Sequence, residues 1–216
     1  LSILIHMQDA YLQTTITTYN KTAPEYIAKA QRYAPVPERE KFISFVKSGG
    51  NILDAGCGSG RDANYFASKG FTVTGIDLSD TLLSYANEHA EANVTFHNMD
   101  LRAIKLNTSF DGIWACASLL HLKRKEILPV LQKFERLITP EGILFLLLKE
   151  GEGEKMAISS TIQGDQRFFT YYSVSELRSL LVNAGFVVTD MYTWDQHERN
   201  SERPPETWIS VFAKKS

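Results

Sequence analysis

The chain has 216 residues, 44% hydrophobic and 22% charged, the make-up of one globular domain with a full core. Its 23 Lys and Arg against 25 Asp and Glu leave a formal charge of −2, which argues against a surface that binds nucleic acid chiefly through phosphates. Two cysteines, Cys57 and Cys116, exclude a disulfide-rich scaffold and a four-cysteine zinc site, and no apolar run reaches the roughly 18 residues that cross a bilayer. The composition is that of a cytoplasmic α/β domain.

Residues 1–6 precede Met7 and lack the length and basic start of a secretory signal. They read as a remnant or upstream leader, with Met7 the natural start, and carry no functional reading. Residues 8–48 read as helices broken by proline. Thr22-Ala-Pro24-Glu25 has the form of a helix start, followed by Tyr26, Ile27, Ala30 and Tyr33 at helical spacing. Pro35 and Pro37 are expected to stop that segment, a second amphipathic stretch follows from Glu38 to Lys47, and Gly49-Gly50 ends it.

From Asn51 short apolar runs alternate with helix-period stretches. Ile52–Ala55, Thr72–Ile76, Val94–His97, Gly112–Cys116 and Ile143–Leu148 are expected strands; Arg61–Lys69, Ser79–Glu91 and Lys125–Ile138 are the helices between them. Ile127, Val130, Leu131, Phe134 and Leu137 lie on one face of the last helix, a core stripe. Ser173-Val-Ser-Glu176 is a capping-box signature for a helix ending near Gly185, and Phe186–Met191 and Trp208–Ala213 add two strands. This alternation predicts βαβ units and a doubly wound, mostly parallel sheet.

The chemistry concentrates in Leu53-Asp-Ala-Gly-Cys-Gly-Ser-Gly60, directly after the first strand. Glycines at 56, 58 and 60 let the backbone turn sharply and approach a ligand, and the following helix presents free N–H groups. A dinucleotide fingerprint would put a third glycine where Arg61 stands, so the spacing is wrong for that class of ligand. Asp77 ends the second strand, where a carboxylate can accept both hydroxyls of a ribose, with Leu78 beside it to cover an adenine; Asp100 follows the third strand. All three acids, Asp54, Asp77 and Asp100, fall at carboxyl ends of parallel strands, where open α/β sheets bind ligands.

On these residues the chain resembles the class I S-adenosylmethionine-dependent methyltransferases, in their small stand-alone form. Asp54–Gly60 resembles that superfamily's first motif, Gly75-Ile-Asp77 its ribose-binding acid, Asp100-Leu101 its adenine-side motif, and Phe110–Ala117 its fourth strand. Thr139-Pro-Glu-Gly142 is similar to its turn before the fifth strand, with Glu141 a departure. The resemblance implies a Rossmann-like, seven-stranded, mostly parallel sheet with an antiparallel last strand and helices on both faces. It implies S-adenosyl-L-methionine as cofactor, with S-adenosyl-L-homocysteine as product and no metal.

The implied donor contacts are Asp54, Gly56, Cys57, Gly58, Gly60, Asp77, Leu78, Asp100, Leu101 and Ala117, with Tyr19 and Tyr26 as a lid or as packing against the sheet edge. His121 after the fourth strand is a candidate base or donor-side wall, and Tyr171 a second catalytic candidate. Glu150, Arg167 and Tyr172 are candidates for binding the acceptor, in a segment read either as a substrate cap or as a solvated loop and hairpin.

The expected division of a single domain, 1–216, is a helical lid (1–50), a donor core (51–149), a substrate-side insertion (150–172) and a closing helix and hairpin (173–216). The expected function is in-line methyl transfer to a small-molecule acceptor by a monomer or homodimer without membrane attachment. Two alternatives stay open: a tRNA-modifying methyltransferase, suggested by Arg167-Phe-Phe-Thr-Tyr-Tyr172, and a non-catalytic protein that binds the donor or its demethylated product.

Overall fold

A computed structural model describes residues 9–158 and 166–216, so residues 1–6, Met7 and part of the expected 150–172 insertion lie outside the described residues. Among the described residues three helices lead: α1 (Ala10–Lys21), α2 (Ala23–Arg32) and α3 (Val36–Phe45). Pro24 sits in the first turn of α2, as expected. Helix α2 ends at Arg32, ahead of Pro35 and Pro37 as expected, and Pro37 also falls in the first turn of α3, where a proline gives up an N–H that has no intrahelical partner anyway.

The alternating part follows: β1 (Asn51–Ala55), α4 (Arg61–Ser68), β2 (Thr72–Asp77), α5 (Asp80–Glu88), β3 (Val94–Asn98), β4 (Phe110–Cys116), α6 (Arg124–Leu137) and β5 (Ile138–Lys149). A hairpin of β6 (Glu154–Ile158) and β7 (Gln166–Thr170) comes next, then α7 (Val174–Asn183), β8 (Phe186–Asp195), the short α8 (Gln196–Arg199) and β9 (Thr207–Lys215). Ser79 Oγ caps α5 by accepting from Leu82 N, and Ser173 and Glu176 form the expected reciprocal capping box on α7. The turn expected at Thr139–Gly142 is an irregularity inside β5: Phe110 pairs with Ile138, and the register resumes at Gly112 with Ile143.

Seven strands form one sheet in the order β3-β2-β1-β4-β5-β9-β8, and β9 runs antiparallel to both its neighbours. Strand order reverses between β1 and β4, and the crevice at the carboxyl ends on either side of that reversal is where such sheets take ligands. Register makes the edge common, since Asp54 stands beside both Gly75 of β2 and Trp114 of β4. One face of the sheet is held by an aromatic layer. Trp114, fully buried, stacks on Phe145 at 4.0 Å between ring centroids and meets Phe42 of α3 and Phe66 of α4, each at 5.2 Å.

The β6–β7 hairpin is a separate two-stranded sheet. Its period of two divides its side chains: Phe168 packs on Tyr11 of α1 at 4.6 Å, whereas Arg167 and Phe169 face the opposite way, into a cavity. Helix α1 is tied to the hairpin by Thr15 Oγ1, which accepts from Phe168 N, and by Thr18 Oγ1, which donates to Gln166 O. Its far end is tied to the start of α5, where Ser79 Oγ donates to Asn20 Oδ1 at 2.6 Å. The helix therefore crosses the carboxyl edge of the sheet.

Candidate functional site

The loop after β1 folds back over the end of β2, with Gly56 N and Cys57 N both donating to Ile76 O. Gly58 adopts φ +51°, a conformation costly for side-chain-bearing residues, and this aims its N–H at Asp77 Oδ2 at 2.9 Å. The other oxygen of Asp77 accepts from Ser79 N at 2.8 Å. The carboxylate is thus locked from two sides. Burial raises its pKa, and the hydrogen bonds from Ser79 and Gly58 offset part of that rise.

Beside Asp77 lies a pocket lined by Gly56, Gly58, Leu78, Leu82, Met99, Asp100 and Leu101, closed by Ala117 and Ser118 after β4 and by Tyr19 and Tyr26 from the leading helices. Leu78, Leu82, Met99 and Leu101 make one end apolar, while Asp77 makes the middle polar. Asp100 is engaged by Arg102, whose Nη2 lies 2.7 Å away and whose backbone N–H it also accepts. Ala117 has φ +55°, the one positive value outside glycine among the described residues, held by its N–H to Leu147 O at 3.0 Å. Backbone strain of this kind gathers at ligand sites.

Three expected donor contacts lie elsewhere. Gly60 is bare because a Cβ there would come 2.7 Å from the Phe96 ring, so its lack of a side chain serves the packing of α4 against β3. Cys57 is buried with its sulfur turned beneath the loop, toward Gly75, and burial raises its thiol pKa well above the ordinary range. Asp54 lies under the pocket floor; its Oδ2 is buried without a hydrogen-bond partner, and burial, reinforced by the charge of Asp62, raises its carboxyl.

Beneath the loop runs a charge network that sequence reading missed. Asp62 accepts from Arg39 Nε at 2.6 Å, from Arg61 Nε at 2.9 Å and Nη2 at 2.7 Å, and from Trp114 Nε1 at 2.9 Å. Burial alone would raise Asp62, but the Arg61 charge and hydrogen bonds, with Arg39 and Trp114, outweigh it and hold the carboxyl at about 2. Arg61 Nη1 also donates to Ala30 O at 2.8 Å, tying α2 to the loop. The residue that breaks the dinucleotide spacing is therefore a structural clamp.

His121, buried and at the pocket wall, donates from Nδ1 to Phe168 O at 2.7 Å, because a carbonyl can only accept. Its Nε2 is then an acceptor, and Tyr19 Oη donates to it at 2.9 Å. Arg167 Nη1 in turn donates to Tyr19 Oη at 2.7 Å. Burial, with the charge of Arg167, lowers His121 to about 3, so at neutral pH it is a neutral acceptor.

Tyr19, Tyr26, Cys116, Ala117 and His121 also form the near wall of a second cavity of about 870 Å³. Arg167 and Tyr171 line it, as do Lys149, Trp194, Arg203, Glu206 and Trp208, none of the last five being expected site residues. They were missed because β5, β8 and β9 are distant in sequence and meet only through the sheet. Glu150 and Tyr172 do not line either space. They bridge to one another, and the fully buried Tyr172 ring faces Arg124 and α7 on the other side of the hairpin stem.

The fold and the site define a Rossmann-like α/β protein with a pocket at its topological switch point. A family model described as a methyltransferase domain matches residues 52–142. YqeM of Bacillus subtilis strain 168, provisionally assigned as a methyltransferase, is 37% identical over 121 residues, covering 52% of this chain and 48% of YqeM. The 2-heptyl-1-hydroxyquinolin-4(1H)-one methyltransferase of Mycobacteroides abscessus is 37% identical over 103 residues, 44% of each chain. These matches span about half the length of the curated relatives. Among solved structures, the 1,6-didemethyltoxoflavin-N1-methyltransferase of Burkholderia thailandensis superposes with a TM-score of 0.76 at 22% identity, covering 98% of this chain and 90% of that one. Residues 52–142 are thus similar to a methyltransferase domain, and the chain shares its fold with a solved methyltransferase structure.

Proposed function

We propose that this protein is an S-adenosylmethionine-dependent methyltransferase that acts on a small-molecule acceptor. The observation that carries the reading is Asp77, fixed by Gly58 N and Ser79 N at the end of β2 and bordered by an apolar slot. A nucleoside fits this arrangement, with its base among Leu78, Met99 and Leu101 and its diol on Asp77. When bound, S-adenosylmethionine supplies a methyl group already activated by its sulfonium.

The protein's own work is alignment and exclusion of water. Helix α1 and the β6–β7 hairpin cover the carboxyl edge, and the shared wall of Tyr19, Tyr26, Ala117 and His121 sets where an acceptor in the second cavity meets the donor. A cavity of about 870 Å³ suits a small molecule rather than a polymer. The M. abscessus relative is named for a quinolone, and the B. thailandensis structure holds 1,6-didemethyltoxoflavin and S-adenosylhomocysteine, which supports the same class of acceptor here.

The test is calorimetry with S-adenosylhomocysteine, followed by isotopically labelled S-adenosylmethionine with a metabolite extract. Binding together with label transfer to a low-molecular-weight product is expected. Binding without transfer to any fraction would instead make the protein a ligand sensor, and label recovered in tRNA would replace the acceptor class.

A further inference from the structure

The chain as a whole is slightly acidic, with a formal charge of −2, yet among the described residues the wall of the second cavity carries eight lysines and arginines and one acid, Glu206. Some of this charge is neutralised from behind: Arg32 pairs with Glu202, and Arg199 with Glu38. At the inner end the balance differs. Lys149 Nζ lies 2.6 Å from Glu206 Oε1 and 4.2 Å from the centre of the Phe169 ring. Arg203 lies over the Tyr33 ring at 5.1 Å, and its Nε is buried with no hydrogen-bond partner.

Burial lowers both groups, Glu206 supports the charge of each, and Arg203 itself opposes the protonation of Lys149. Glu206 is thus engaged by Lys149, and Arg203, near enough to feel its charge, forms no ion pair with it. Excess charge away from water is unfavourable, and an anionic group entering the cavity removes the excess. The surrounding surface is aromatic: Phe169 and Trp208 lie under Lys149, and Trp194 stacks near Trp208 with ring centroids 6.2 Å apart. Aromatic side chains interleaved with cations suit a planar ring that bears an oxyanion.

We propose that the acceptor is a planar aromatic molecule carrying a carboxylate or similar oxyanion, with Lys149 and Arg203 holding the anion and Phe169 and Trp208 holding the ring. This rests on the second cavity being the acceptor site of the proposed methyltransferase.

The test compares two dyes that share one aromatic system on the full chain, with and without S-adenosylhomocysteine. 1-Anilinonaphthalene-8-sulfonate carries an oxyanion and N-phenyl-1-naphthylamine does not. The sulfonate is expected to bind at least tenfold more tightly in low salt. Arg203→Gln, on an irregular loop, and Lys149→Met should each weaken the sulfonate at least fivefold and change the neutral dye less than twofold. Affinities of the two dyes within twofold of each other would overturn the proposal, as would folded variants that weaken both dyes equally. S-adenosylhomocysteine affinity, measured separately by calorimetry, reads the donor site alone: its absence removes the methyltransferase reading and leaves the dye comparison intact.

Discussion

Tyr19 donates the 2.9 Å hydrogen bond to His121 Nε2, and that direction limits what the histidine can do. Phe168 O accepts the hydrogen bond from Nδ1–H, so the one free lone pair of the ring is that of Nε2, already occupied by the tyrosine. Arg167 completes the row by donating to Tyr19. A residue that sequence position marks as a candidate base is, in this arrangement, a neutral wall that positions a tyrosine between the two cavities. Methyl transfer from a sulfonium requires such alignment more than it requires a strong base.

Acid should weaken the fold through this histidine. In the unfolded chain His121 takes a proton near the ordinary value of about 6.5. In the folded protein it resists protonation down to about 3. Between those values the unfolded state binds more protons, so the stabilisation is complete above pH 6.5 and is lost as pH falls toward 3. Urea titrations at pH 7 and pH 4.5 should show wild type losing on the order of 2 kcal/mol more than His121→Gln. Equal losses in the two proteins would refute the assignment.

Tyr19→Phe keeps the edge contact with Tyr26 at 5.0 Å but removes the donor to His121 and the acceptor for Arg167. A cost of about 1–2 kcal/mol in stability follows from the buried partners left behind. Imidazole nitrogen NMR provides the specific readout: the Nε2 resonance should move while Nδ1 stays protonated. An unmoved Nε2 signal would show that Tyr19 is not its donor.

Asp77→Asn tests the donor site. The amide preserves size but offers one acceptor oxygen where two now serve Gly58 and Ser79. Two weakened charge-assisted hydrogen bonds to a ribose amount to about 3 kcal/mol, or roughly a hundredfold in S-adenosylhomocysteine affinity. Calorimetry that finds the affinity unchanged would remove Asp77 from the site.

Asp62→Ala should be among the most destabilising single changes near the loop. It strips the shared carboxylate from Arg39 and Arg61 and an acceptor from Trp114, leaving buried cations uncompensated at a cost of about 3–5 kcal/mol. The half-exposed pair Lys41–Asp190 is the control, since Asp190→Ala should cost less than about 1 kcal/mol. Chemical denaturation of both variants reads the contrast directly, and similar losses would contradict it.

Most of the proposed donor site was legible because its residues are close in the chain and each carries a local signal. Gly56 and Gly58 follow a strand, Asp77 ends the next, and Leu78, Asp100 and Leu101 sit at fixed offsets from strand ends. Gly60 and Cys57 share the same motif but point to other duties, because a motif records where a small residue is required and not what it is required against. Phe96, two strands away in the sheet, is what keeps Gly60 bare. Pro37 has two roles for a similar reason: it lies just past the end of α2 and in the first turn of α3.

Periodicity, glycine spacing and the acids at strand ends were enough to determine a doubly wound sheet with a ligand crevice after β1, β2 and β4, since those signals depend on neighbours within a few residues. The tertiary structure alone decided which side chains meet across the sheet. It set Lys149 of β5, Trp208 of β9 and Arg203 of the preceding loop around one cavity, fastened α1 to the hairpin, and turned His121 into an acceptor. Their chemistry arises from burial and from partners dozens of residues away, and neither is encoded in local spacing.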